Sequence, residues 1–280
     1  MLGYRADRED WDYLLGNSSA FPASCKASGD VPDNFHPKLI TKNQWQTSSC
    51  VGHGLSTLYA ALNLLLTGEE VNYSAWFAYL AAQRESWYLD RGQTVNMFGT
   101  DDGATLAGAM KAASTVGVCR DELYPFPGYY LTNVPKAATD EAAQHCVIQY
   151  AKLTGYDEIW RFLSSNQGPV LIGTQWREGH AMLGREGVES RSTALVGSSL
   201  GYHCRCVIGW STRRDSQGRR YLRCKNSHST DWGNQGESEI EPDLFDVWAQ
   251  DRFAAFFGAS ESRPYEPRPV AWVDHPFVFV

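Results

Sequence analysis

A chain of 280 residues is longer than the usual single domain, so its length fits two units or one large domain of two lobes. Hydrophobic residues at 43% and aromatics at 13% exclude a disordered chain. A formal charge of −7 excludes a general attraction to nucleic acid or anionic lipid.

Residues 1–31 read as an irregular leader. The segment is acidic and lacks both the basic and the apolar region of a secretory signal, so the chain is expected to stay in a reducing, cytoplasmic compartment. Seven scattered cysteines, an odd number, agree with free thiols rather than a disulfide framework. From Val51 the apolar positions 51, 55, 58, 62, 65 and 66 follow one helix face, and Gly68 stops it. The richest apolar run, Leu58 to Leu66, contains Asn63, so no membrane span is expected.

Further helices are predicted at about 74–85, 105–116, 136–145 and 157–164. Strands follow at 169–173, 204–212 and 221–225, the last two joined across the turn cluster Asp215 to Gly218 as an antiparallel hairpin. Helices first and strands second indicate an α+β fold with a helical lobe at about 44–145 and a sheet lobe at about 146–250. Residues 251–280, rich in proline from Arg263 onward, read as an extended arm.

Cys50 stands at the start of the strongest helix behind Thr47, Ser48 and Ser49, all candidate N-caps. A thiol there meets the positive end of the helix dipole, which favours the nucleophilic thiolate. Gln44 lies six residues earlier, and far downstream come Gly201-Tyr202-His203, Gly209, Asn226-Ser227 and Trp232-Gly233. In this order and spacing the chain, from about Val31 to Ile240, resembles the papain-like cysteine peptidases.

The resemblance implies a two-lobed papain-like fold with a cleft between lobes, and a thiol peptidase acting on polypeptides without a cofactor or metal. Cys50 would be the nucleophile, His203 its acid/base partner, Asn226 the group orienting the imidazole, and Gln44 a donor to the oxyanion. Asp102, Gly103, Trp45 and His228 would line the substrate cleft. More narrowly, the chain is similar to short bacterial and bacteriophage forms without a long propeptide. Its leader is too short to fold as one, so the full-length chain is expected to be fully active. The rival reading is a structural or binding protein of the same fold, such as a virion component, assembling through its terminal arms.

His180, in Gly179-His180-Ala181, rivals His203, but only His203 shares one end of the hairpin with an asparagine. Cys204, Cys206 and Cys224 suggest a metal site, yet they lack an evident fourth ligand and read as core residues. His53 reads as helix packing. The resemblance also has departures. Val51 and His228 replace aromatic residues, Thr47 replaces a half-cystine, and Trp45 and Ser48 replace glycines. Without the tryptophan at 228 the His203–Asn226 bond is expected to be open to water, and the bulk of Trp45 is expected to narrow the cleft.

Overall fold

The structure is a computed structural model and describes residues 4–5, 31–93, 99–165 and 167–263. Cys25, most of the leader and the segment beyond 263 lie outside the described residues. The elements are β1 (Tyr4–Arg5), α1 (Cys50–Thr67), α2 (Ala75–Asp90), β2 (Ala104–Thr105), α3 (Leu106–Thr115), α4 (Lys136–Ala142), β3 (Cys146–Leu153), α5 (Tyr156–Ser164) and β4 (Val170–Arg177). The chain continues through α6 (Glu178–Ala181), β5 (Val188–Glu189), α7 (Arg191–Ala194), β6 (Ser199–Arg214), β7 (Arg220–Lys225), β8 (Glu237–Ile240), α8 (Pro242–Trp248) and β9 (Ala255–Arg263).

The helix signals act locally. Ser74 Oγ accepts the Phe77 N–H at the start of α2, and Thr105 Oγ1 accepts the Gly108 N–H at the start of α3. Gly68, at φ +78°, ends α1 and donates its N–H to Leu64 O. Two glycines inside α1 serve packing instead. A Cβ on Gly52 would lie 2.4 Å from Tyr79 Cβ, and one on Gly54 would lie 2.8 Å from Cys204 Sγ. α1 is therefore pressed against α2 on one side and the sheet on the other, an approach that only glycine permits. Long and apolar enough to cross a membrane, α1 is nonetheless 72% buried inside the protein, as its core helix.

Seven strands form one sheet in the order β3-β9-β4-β6-β7-β8-β5, antiparallel except for the β5–β8 pair. Leu171 and Cys206 face the core under α1–α3, whereas Val170, Ile172 and Val207 face a second core with Ile159 and Phe162 of α5 and Phe245 and Trp248 of α8. The fold is thus α+β, and both sheet faces are covered.

The structure departs from the sequence reading at both ends. Residues 255–263 do not belong to an arm; β9 lies inside the sheet between β3 and β4. Its residues Ala255 to Ser260 are all buried, so the run carries no alternation of apolar and polar positions to mark a strand. Within the leader, Tyr4–Arg5 pairs in parallel with Ala104–Thr105 and also approaches β6.

Candidate active site

α1 and β6 meet at the site. Cys50 is the first residue of α1, after the N-cap Ser49, and is wholly buried. None of the three candidate caps bonds the helix N–H groups through its side chain. Ser49 Oγ instead pairs with Thr47 Oγ1 at 2.6 Å and with His53 Nδ1 at 3.2 Å. The uncapped end keeps its positive pole beside the Cys50 sulfur. From the facing strand the Cys204 N–H donates to Cys50 Sγ at 3.4 Å, which sets the residue after His203 directly on the thiol.

His203 Nε2 lies 2.7 Å from Asn226 Oδ1, so Nε2 donates and Nδ1 carries the lone pair. Nδ1 is buried and makes no hydrogen bond. Antiparallel pairing of β6 with β7 brings the two residues together, as the hairpin reading expects. Burial holds the His203 imidazole well below its ordinary pKa; the His228 ring adds to this and the Asn226 bond opposes it.

Gln44 is fixed on both sides. Ser227 Oγ–H donates to its Oε1 at 2.7 Å and its Nε2 donates to Thr47 O at 2.9 Å, while its backbone N–H reaches Ser227 O. An amide nitrogen carries two hydrogens, so one remains for a further acceptor.

The proposed cleft residues divide. Gly103, at φ +82°, turns its N–H onto the Tyr79 hydroxyl at 3.0 Å, and Asp102 accepts from Thr100 Oγ1. Sequence reasoning missed Asp101. Its carboxylate accepts the Ser48 N–H at 2.8 Å and the Tyr79 O–H at 2.7 Å, tying the turn before Cys50 to α2. Nothing in a lone Asp-Asp-Gly marks that tie. Trp45 adopts φ +52°, and 69% of the residue is exposed, so its ring points away from the packed turn.

His228 does not leave the His203–Asn226 bond open to water. His203 is 0% and Asn226 4% exposed, because Trp176 of β4 packs its ring 4.5 Å from the His203 ring. The covering tryptophan comes from another strand, paired with β6 two residues along, and so escaped a search of positions after Asn226. His228 adds an edge contact at 4.8 Å.

His180 is buried in α6, stacked on Trp176 at 4.8 Å, and its Nδ1 accepts the Arg177 N–H. Burial pushes its pKa down to about 4. His53, packed against Phe126, is pushed down by burial to about 3. Cys204 and Cys206 face α1 whereas Cys224 sits in the opposite core, and the described residues hold no group of three ligating side chains.

Residues 90–244, over half of the chain, match the family model described as papain family cysteine protease. No curated protein matches by sequence. Solved structures do. Xylellain, a cysteine protease from Xylella fastidiosa, is 16% identical with TM-score 0.70, covering 94% of this chain and 96% of its own. Procathepsin B S9 from Trypanosoma congolense is 16% identical with TM-score 0.65, covering 93% and 87%. The Carica candamarcensis cysteine protease CMS1MS2, in complex with E-64, is 16% identical with TM-score 0.57, covering 90% and 97%.

Proposed function

Since the chain belongs to the papain family of cysteine proteases, we propose that it hydrolyses peptide amides with Cys50 as nucleophile, His203 as acid and base, Asn226 as orienter and Gln44 as oxyanion donor. The observation that carries this reading is the His203–Asn226 bond of 2.7 Å, with Nδ1 left without a partner on the strand whose next N–H touches Cys50 Sγ. The sequence order of Gln44, Cys50, His203 and Asn226 supports the same four roles.

The steps follow from those positions. His203 Nδ1 takes the thiol proton and Sγ attacks the carbonyl carbon, forming the C–S bond. The oxyanion accepts from the Cys50 N–H and the remaining Gln44 Nε2 hydrogen. His203 then gives its proton to the departing amine nitrogen as the C–N bond breaks. Water attacks the acyl group, His203 takes its proton, and the C–S bond breaks to release the acid.

The test is turnover of peptide amides by the full chain, with E-64 adding its mass to Cys50 and both responses lost in Cys50→Ala. Folded protein with neither turnover nor adduct between pH 5 and 9 would replace this reading with the structural one.

A further inference from the structure

Behind Trp176, away from Cys50, lies a charged group that the proposed chemistry does not use. Arg205 Nη1 donates to Glu189 Oε1 at 2.5 Å, and both side chains are 0% exposed. The Arg205 guanidinium carbon lies 5.0 Å from the centre of the Trp176 ring and 5.6 Å from that of Trp248, and Nη2 reaches Thr174 Oγ1 at 3.4 Å. His180 completes the group. Its Nδ1 accepts from Arg177, so Nε2 holds the proton and faces Glu189 Oε2 at 3.7 Å.

Strand geometry connects this group to His203. Residues 203 and 205 project from the same face of β6, as successive odd positions must, and Trp176 of β4 contacts both. One tryptophan therefore separates a full positive charge from the imidazole that must itself become positive. A buried ion pair adds little net stability over apolar residues of the same volume, so folding alone gives weak reason for the pair. Its place beneath the covering ring gives a stronger one.

We propose that Glu189 is a positioning residue for the reaction: by neutralising Arg205 under Trp176 it keeps the His203 imidazolium stable and the covering ring seated. The proposal rests on the thiol peptidase reading. The titratable and charged groups acting on His203 are His228 from the loop after β7, Arg205 from β6, His180 from α6 and, through Arg205, Glu189 from β5, while Cys50 of α1 meets the backbone N–H of the next residue. His180 is buried and His228 half-buried, and both are held neutral, His228 by desolvation and by Arg205, so Glu189 carries the negative charge of the group. Without it, Arg205 opposes protonation of His203 at short range through a medium of low dielectric.

The experiment is the pH dependence of kcat/KM for Glu189→Gln. Protonation of His203 removes the base that the first step needs and so sets the acid limb, and the variant is expected to move that limb to lower pH by about one unit, a tenfold change in proton affinity. Adding Arg205→Gln should return it, although the ion pair is then gone. A role limited to packing would lower the melting temperature and leave the limb in place, and that outcome in folded Glu189→Gln overturns the proposal.

One measurement stands apart from that variant's turnover. If the wild type neither turns over nor takes up E-64, the peptidase reading fails by itself. The His203 ring titration by NMR still decides the Glu189 role, and equal midpoints in wild type and Glu189→Gln would refute it.

Discussion

Gln44 spends one amide hydrogen on Thr47 O and its carbonyl on Ser227, which aims the second hydrogen without tying it down. Gln44→Ala should therefore lower kcat on the order of a hundredfold with KM nearly unchanged, the usual loss for one oxyanion donor. Steady-state kinetics on a peptide amide separates this from a substrate-binding role, which would raise KM. Trp176 invites the opposite comparison. Because its ring already excludes water from the His203–Asn226 bond, His228→Trp should give no gain in kcat, whereas Trp176→Ala should reduce kcat at least tenfold. A gain from His228→Trp would mean that the bond is wet after all. The four residues proposed for chemistry come from the sequence through its resemblance to the papain-like peptidases, whose motif order and spacing they match. Trp176 and Asp101 are not legible there, since each reaches the site from a strand or loop that no spacing rule connects to it.

At the scale of elements, the turn before Cys50 depends on a carboxylate from the other side of the helical lobe. Asp101→Ala leaves the Ser48 N–H and the Tyr79 hydroxyl without their acceptor. The expected cost is about 1–3 kcal/mol in denaturant unfolding, restored in part by Asp101→Asn. β1 presents a different consequence. It pairs with Ala104–Thr105 and approaches β6, while Cys50 and His203 are both 0% exposed. A peptide pairing with that same edge must first displace β1. Deletion of residues 1–30 should then lower KM several-fold and speed carboxamidomethylation of Cys50, in contrast to the full activity that leader length alone suggests. Equal labelling rates in the two chains would show that β1 leaves the thiol as accessible as before. Helices α1, α2 and α3 were legible because caps and a period near 3.6 mark them; β9 was not, because a strand buried on both faces has no period to read.

For the molecule as a whole, four histidines withdrawn from water set the response to acid, among them His203, which burial holds well below its ordinary value. Burial holds His53 at about 3 and His180 at about 4, and burial with Arg205 holds His228 at about 4. Each is neutral in the folded chain and takes a proton near 6.5 when unfolded, so the unfolded state binds more protons throughout that interval. Stability is complete above about pH 6.5 and falls as pH drops toward the folded values, by about 1.4 kcal/mol per pH unit for each group, with no further loss from them below. Urea midpoints between pH 7 and 4 measure this, and a flat profile would contradict the neutral assignments. The division into a helical first half and a sheet-rich second half was legible from the sequence; the order of the sheet was not, because strand neighbours are chosen by packing over long separations. The position of β9 gives that order a dimension in time. β3 joins the sheet only through β9, the last of the described strands to be synthesised. A ribosome that has delivered Cys50, His203 and Asn226 has therefore delivered every proposed reacting group into a chain whose sheet is still in two pieces. Completion of the sheet therefore waits until Ala255–Arg263 has emerged.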